Sequence, residues 1–364
     1  MMHVLLVAGA RPNFMKIAPL TWELKSRSGA RMTLVHTGQH YDRKMSDLFF
    51  EQLRIPEPDV NLAVGSGSHA VQTAEIMKRF EPVLLERKPD IVLVVGDVNS
   101  TIACALTSVK LGTPVAHVEA GLRSFDRLMP EEINRILTDA ISDWLFVSEP
   151  CGVENLQREG VPASRIHFVG NVMIDTLLAM RDAAEQSPVL EQMGLASKAY
   201  AVVTLHRPSN VDDPGVLAGL MSALSRISRE LPIVFPIHPR TRGALERQGG
   251  LGESDIRLVD PLGYLDFMKL IAHSRLVLTD SGGLQEETTI LQVPCLTLRE
   301  NTERPVTATE GTNTLVGMDP VRIIEHGLRA LSAPAVGGKI PQFWDGRAAQ
   351  RILDVLLKPP SPVA

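Results

Sequence analysis

The sequence predicts an α/β protein made of two doubly wound domains that face each other across a cleft. Three observations carry this. Short, fully apolar runs recur along the chain, longer amphipathic segments separate them, and the whole pattern starts again past the middle. Strands that are apolar on both faces and alternate with helices belong to a parallel sheet covered on each side. At 364 residues the chain is long for one average domain and comfortable for two.

In the first half, "HVLLVAGA" leads into a helical pattern from Pro12 to Lys25. "MTLVHTG", "DIVLVVGD", "TPVAHVEAG" and "DWLFVSE" follow as strands, with helices at 99–111 and from Pro130 between them. The second half supplies "YAVVTLHRP", "LPIVFPIHP", "IRLVDP", "SRLVLTDSGG" and "VPCLTLRE", with helices at 215–230 and 264–274. The expected domains are residues 1–171 with a C-terminal helix at 345–364 packing back on them, and residues 187–340. The polar helical stretch 172–198 is the crossover. No repeat at a solenoid period is found.

Composition excludes several function classes. Apolar residues make up 44%, charged residues 22%, and the net charge is −5 without a Lys/Arg tract. That argues against nucleic-acid binding by phosphate neutralisation. No run reaches the ~18 apolar residues of a membrane span. The apolar N-terminus lacks a basic lead segment and reads as a first strand rather than a signal peptide. Cys104, Cys151 and Cys295 are widely spaced and form no C-x-x-C, as expected of reduced thiols in a cytoplasmic protein. Cys104, inside "TIACAL", reads as core.

In open α/β sheets, ligands sit beyond the C-terminal ends of the strands. Asp97 and Glu119 end successive strands, which are usually neighbours. Asp97, just ahead of Asn99, Ser100 and Thr101, also reads as a helix cap. Glu119 precedes Ala120-Gly121, and no helix start accounts for it. Pro130 with Glu131 and Glu132 behind it is an ordinary helix opening. Ile133, Ile136, Leu137 and Ala140 define the expected buried stripe of that helix. Glu131 then lies opposite the stripe, stacked with Arg135, and Glu132 lies on its flank. By pattern alone Glu131 and Arg135 face solvent. If they face the cleft instead, three carboxylates crowd one site, and like charges raise at least one pKa into the range useful for acid/base work.

Anion-binding features stand at other strand ends. In "LTDSGGLQEE" a strand, a glycine pair and a helix start follow one another, so Ser281, Gly282 and Gly283 offer a hydroxyl and helix-terminal N–H groups to an anion. Glu287, one turn on, suits ribose hydroxyls. Arg11 and Lys16 flank the first helix start, and His206, Arg207 and His238 end strands of the second half. The first turn, "GARPNFMK", is not G-x-G-x-x-G, so no NAD is expected. His36 with His40, and His117 with Glu119, lack a third ligand, so no metal is expected.

Together "GARPNFMKIAPL", "TGQHYD", "VVGDVNST", "HVEAGLRS", "MPEEINR", "TLHRPSN", "DSGGLQEE" and "TERPV" resemble the non-hydrolysing UDP-N-acetylglucosamine 2-epimerases, in order over residues 3 to 317. The resemblance implies the GT-B fold shared with many nucleotide-sugar glycosyltransferases. It implies a homodimer that interconverts UDP-GlcNAc and UDP-ManNAc with no metal or NAD. The implied reaction removes the C2 proton, expels UDP to leave a 2-acetamidoglucal, and adds UDP back with protonation from the other face. Catalytic positions map to Asp97, Glu119, Glu131 and His206, the last near the leaving diphosphate. UDP contacts map to Arg11, Lys16, Arg135, His238, Ser281, Gly282, Gly283, Glu287 and Arg304. The mapping moves Glu131 and Arg135 from solvent into the cleft. Gln39, His40 and Gln72 correspond to a candidate allosteric site, with Tyr41 where those family members carry Arg. The "QHYD…MSDLFFEQL…GSGSH" version also looks like relatives acting on 3-acetamido or uronate UDP-sugars. A hydrolysing epimerase, a glycosyltransferase on the same fold and a non-catalytic UDP-sugar sensor remain the alternatives.

Overall fold

A computed structural model describes residues 1–38, 43–237, 239–247, 250, 254–332 and 337–358. The chain forms two compact units, Met1–Ala179 with Gln342–Ala364, and Met180–Pro341. The division falls inside one helix, Val172–Glu185, within the polar stretch read as the crossover.

The first unit holds β1 (Met2–Ala8), β2 (Ala30–His36), β3 (Val60–Asn61), β4 (Ile91–Val95), β5 (Val115–Ala120), β6 (Trp144–Val147) and β7 (Ile166–Phe168). They form one parallel sheet in the order β3-β2-β1-β4-β5-β6-β7. Every residue of β4 and β5 is buried, so both faces need helical cover. The winding reverses between β1 and β4, which opens a crevice at their C-terminal ends. The edge strands β3 and β7 have two and three residues, too short to leave a hydrophobic pattern in the sequence.

The second unit holds β8 (Ala201–Thr204), β9 (Ile233–Pro236), β10 (Ile256–Val259), β11 (Leu276–Thr279), β12 (Cys295–Thr297) and β13 (Asn313–Leu315). Its parallel order, β10-β9-β8-β11-β12-β13, places the reversal between β8 and β11. Five of these strands follow the predicted runs, and the three-residue β13 was not anticipated. Val203, Leu224, Phe235 and Leu278 lie in its core. Each such side chain contributes about 1.5–3 kcal/mol by leaving water.

The helix Ala348–Leu356 belongs to the first unit and is shorter than the expected 345–364. Asp175 accepts from its first amides, Ala348 N at 3.1 Å and Ala349 N at 2.8 Å, filling the N-cap role. Trp344 Nε1 donates to Ser148 O at 2.9 Å.

The helix Pro130–Ile141 reverses the expected stripe. Its buried residues are Glu132, Asn134, Arg135, Thr138 and Asp139. Leu137 is 49% exposed, Ala140 is exposed, and Ile133 and Ile136 are only half-buried. The periodicity shows that one face differs from the other, but not which face turns inward. Here the inner face meets the polar groups at the end of β5 and supplies their partners. Cys104 and Cys295 are buried, with thiols pushed up by burial, Cys295 to about 12. Among the described residues no helix is long and apolar enough to cross a membrane.

Candidate active site

Glu119 ends β5 in a left-handed conformation, φ +77°. The pairing with β6 slips between Val118 and Ala120, so Glu119 occupies a bulge. Such backbone in a residue with a side chain costs about 1–3 kcal/mol and persists only where the surroundings enforce it. Gly96, at the end of the adjacent β4, donates to Val118 O at 3.0 Å. Gly121, also left-handed, packs so tightly on the helix Pro150–Arg158 that a Cβ there would lie 2.3 Å from Gly152 O. The Glu119 carboxylate accepts from Lys16 Nζ, and both side chains are buried. A Cβ on Gly96 would sit 2.9 Å from Lys16 Nζ and 3.2 Å from Glu119 Oε2, so the pair needs glycine beside it. Asn13 ties the first helix to the same place, donating to Val95 O at 3.0 Å while its Oδ1 accepts from Ala10 N at 3.0 Å.

Asp97 does not cap the helix Asn99–Lys110, whose cap residue is Val98. Its carboxylate, a quarter exposed, pairs with Arg135 Nη1. Arg135 was expected on the outer side with Glu131. It is buried, and its other ion-pair partner is Glu132, at 2.6 Å. Glu132 also accepts from Ser124 N at 2.9 Å, Ser124 Oγ at 3.0 Å and Phe125 N at 3.0 Å. Burial raises the Glu132 carboxyl, but the Ser124 and Arg135 bonds outweigh it and hold it below the ordinary range. Glu131, one residue earlier, is half-buried.

In the second unit the reversal point carries His206 and Asp280. Asp280 is buried and accepts from His206 N at 2.9 Å, Arg207 N at 2.9 Å and Asn210 Nδ2 at 3.2 Å. His206 Nδ1 lies 2.8 Å from Asp280 Oδ1 and the ring is half exposed. Burial raises the Asp280 carboxyl, and the bonds from His206 and Arg207 bring it below its usual value. Gly282 and Gly283 open the helix Gly282–Leu291, and Ser281 precedes it half-buried. A Cβ on Gly282 would stand 2.7 Å from Glu303 Oε1. Glu303 is held by Arg299 at 2.8 Å and Arg207 at 3.4 Å. Burial raises its carboxyl, but Arg299, Arg304 and Arg207 drive it far below the carboxylate range. Arg304 Nε lies 2.5 Å from Glu286 Oε1, both buried. Glu287 is fully buried, and burial, with the Glu286 charge second, raises it to about 8.

Within the first unit the structure therefore gathers Lys16, Asp97, Glu119 and Arg135 at the ends of β4 and β5. Within the second it gathers His206, Ser281, Gly282, Gly283, Glu287 and Arg304 around β8 and β11. Gln39, His40, His238 and the side chain of Arg11 lie outside the described residues. Gln72 is buried, donating to Gly65 O at 3.0 Å and accepting from Asn99 Nδ2 at 2.8 Å. Sequence reasoning passed over Glu132, Glu303 and the role of Asp280. Glu132 had a signal, its i,i+3 spacing to Arg135. Asp280 had its place at a strand end, while Glu303 sits in a loop and was marked only by its place in "TERPV" beside Arg304.

A profile of the UDP-N-acetylglucosamine 2-epimerase family matches residues 22–357. The chain belongs to that family. It is 41% identical over 366 residues to UDP-N-acetylglucosamine 2-epimerase of Methanococcus maripaludis, covering 98% of this chain and 99% of the relative. It is 43% identical to UDP-2,3-diacetamido-2,3-dideoxy-D-glucuronate 2-epimerase of Pseudomonas aeruginosa, covering 98% of this chain and all of the relative. The crystal structure of Methanocaldococcus jannaschii UDP-GlcNAc 2-epimerase in complex with UDP-GlcNAc and UDP superposes with a TM-score of 0.91 at 41% identity, over 98% of this chain and 99% of that one. The two parallel Rossmann-like sheets are the GT-B-type architecture of this family, and membership makes the chain an enzyme of epimerase type.

Proposed function

We propose that this epimerase interconverts UDP-N-acetylglucosamine and UDP-N-acetylmannosamine at C2, without releasing the free sugar, in the service of cell-surface polysaccharide synthesis. A carboxylate takes the C2 proton and the C1–O bond to UDP breaks, leaving a C1=C2 double bond in a 2-acetamidoglucal. UDP then reforms the C1–O bond, and a second acid protonates C2 from the opposite face. Two faces require two acid/base groups. Asp97, Glu119 and Glu131 supply them, and His206 assists the diphosphate as it leaves and returns. The observation that carries this reading is the Glu119 carboxylate, locked against Lys16 on strained backbone at a strand end beside Asp97.

Arg11, Lys16, Arg135, His238, Ser281, Gly282, Gly283 and Arg304 bind the diphosphate and uridine in this reading. Glu287, a neutral acid at neutral pH, both donates to and accepts from the ribose hydroxyls. Gln39, His40 and Gln72 form the allosteric UDP-GlcNAc site. The enzyme is a cytoplasmic homodimer, supported by the three free cysteines and by the apolar side chains of Leu137 and Val109, left exposed on adjacent helices, and of Leu111, just past the end of one of them. UDP-GlcNAc incubated with the protein in D₂O should yield UDP-ManNAc with deuterium at C2. Epimerised product without label would exclude the proton-transfer route, and free ManNAc in step with UDP would indicate a hydrolysing enzyme.

The 43% identity to the diacetamido-uronate epimerase favours a second reading, in which the same reaction acts on a UDP-sugar with a 3-acetamido or uronate group. Product analysis with both substrates separates the two readings by relative kcat/KM.

A further inference from the structure

Beneath Glu119 lies a set of buried charges that the proposed reaction does not use. His117 Nδ1 stands 2.7 Å from Asp139 Oδ1, and His117 Nε2 stands 2.8 Å from Gly96 O. Asp139 Oδ2 accepts from Gly121 N at 3.0 Å and faces Arg123 Nη1 at 2.7 Å. Arg123 in turn forks onto Glu159, at 2.8 and 2.7 Å. His117, Asp139 and Arg123 are at most 3% exposed.

We propose that His117 and Asp139 are positioning residues for Glu119, a buried imidazole–carboxyl pair that pins both flanks of the left-handed backbone on which the Glu119 carboxylate stands. The proposal rests on reading Glu119 as an acid/base group. A carbonyl oxygen only accepts hydrogen bonds, so the His117 ring donates from Nε2 to Gly96 O and meets the Asp139 carboxyl through Nδ1. Burial raises the Asp139 carboxyl, but His117 and Arg123 outweigh it and keep the group ionised. Arg123 pairs with Asp139 in the interior and reaches Glu159, which is exposed, at the surface.

The geometry brackets Glu119. Two residues before it, His117 holds Gly96 O, in the turn that leads to Asp97. Two residues after it, Gly121 N is held by Asp139. Successive side chains of a strand point to opposite faces. Relaxation of the bulge to regular strand would turn the Glu119 side chain away from Lys16 and shift the residues beyond it by one place in the pleat. A contact network that enforces strained backbone at a catalytic carboxylate is how such strain is maintained.

The test uses the intact protein labelled with ¹⁵N-histidine. A long-range ¹H–¹⁵N correlation should show one ring whose Nε2 carries a proton that exchanges slowly with solvent, as a buried donor to Gly96 O does. Loss of that signal in His117→Gln assigns it. An unprotonated Nε2 on His117 would overturn the pair. In parallel, Asp139→Asn should lower kcat for C2 proton exchange about 100-fold while KM stays within about threefold, as misplacement of a reacting group without loss of binding does. An unchanged kcat would overturn the positioning role. Should Asp139→Asn fail to fold, kcat of His117→Gln, whose amide still reaches Gly96 O, decides that role in the same way. If the wild-type protein itself exchanges no C2 proton, the reaction assignment fails, and the NMR result still judges the pair.

Discussion

His206 donates from Nδ1 to Asp280 Oδ1 across 2.8 Å, and the same carboxylate holds the backbone N–H groups of His206 and Arg207. One buried anion thus fixes both the loop after β8 and the ring that it carries.

Asp280→Asn should therefore impair turnover and folding together. The amide cannot accept with both of its ends, so at least one donor loses its partner. Expected losses are about 100-fold in kcat, from a misoriented His206, and roughly 1–3 kcal/mol of stability. Because folding lowers the Asp280 pKa, its stabilisation is complete above the ordinary carboxylate value and is lost as pH falls through the folded one. Steady-state kinetics and thermal melts from neutral to acid pH check both parts. A variant equal to wild type at neutral pH contradicts the assignment.

Glu131 and Glu132 should separate cleanly despite being adjacent. Glu132→Gln weakens three hydrogen bonds to Ser124 and Phe125 and leaves buried Arg135 without one of its carboxylates. A cost of roughly 2–4 kcal/mol is expected, lowering the melting temperature by several degrees. Glu131→Gln is expected to melt within about a degree of wild type and to lose at least 100-fold in kcat. Calorimetry and kinetics on both variants give the comparison, and equal melting losses would contradict it.

Glu119→Gln keeps the volume of the side chain and removes the group that titrates. Turnover should fall by roughly 10³-fold or more while far-UV circular dichroism is unchanged. Lys16 then loses its ionic partner in a buried site, so some loss of stability accompanies the change. Substantial remaining activity would remove Glu119 from the reaction.

Glu287 sets a pH dependence of the opposite sign to Asp280. Its ordinary value is 4.5 and its folded value about 8. Between those values the folded chain keeps a proton that the unfolded chain has released, so stability declines as pH rises through the window. Glu287→Gln should remove the decline. Relative to the variant, the wild type is expected to lose roughly 1–4 kcal/mol between about pH 5.5 and about pH 8.5. Melting curves whose separation does not change with pH would refute this.

The sequence alone determined the two parallel α/β units and the strand ends at which functional groups would stand. The reason is that a strand buried on both faces must be largely apolar, so β4 and β11 announce themselves as uninterrupted runs and β5 as a run broken only by His117 and Glu119, and the polar residues at their ends are set at the crevice. Asp97, Glu119, His206 and the Ser281-Gly282-Gly283 turn were legible on that basis. Strands of two or three residues, such as β3 and β13, carry too little pattern to be read.

Only the tertiary structure decided which partner each polar group takes. Hydrophobic periodicity marks a face without saying what lies against it, so the helix after Pro130 was read with Ile133 and Leu137 inward. The folded chain buries Glu132, Arg135 and Asp139 there, because the bulge at Glu119, the turn at Gly121 and the carboxylate of Asp97 need charged and hydrogen-bonding partners from that helix. Such pairings join residues 38 positions apart in Asp97–Arg135 and 103 apart in Lys16–Glu119. They are set by three-dimensional proximity, which local spacing along the chain does not encode.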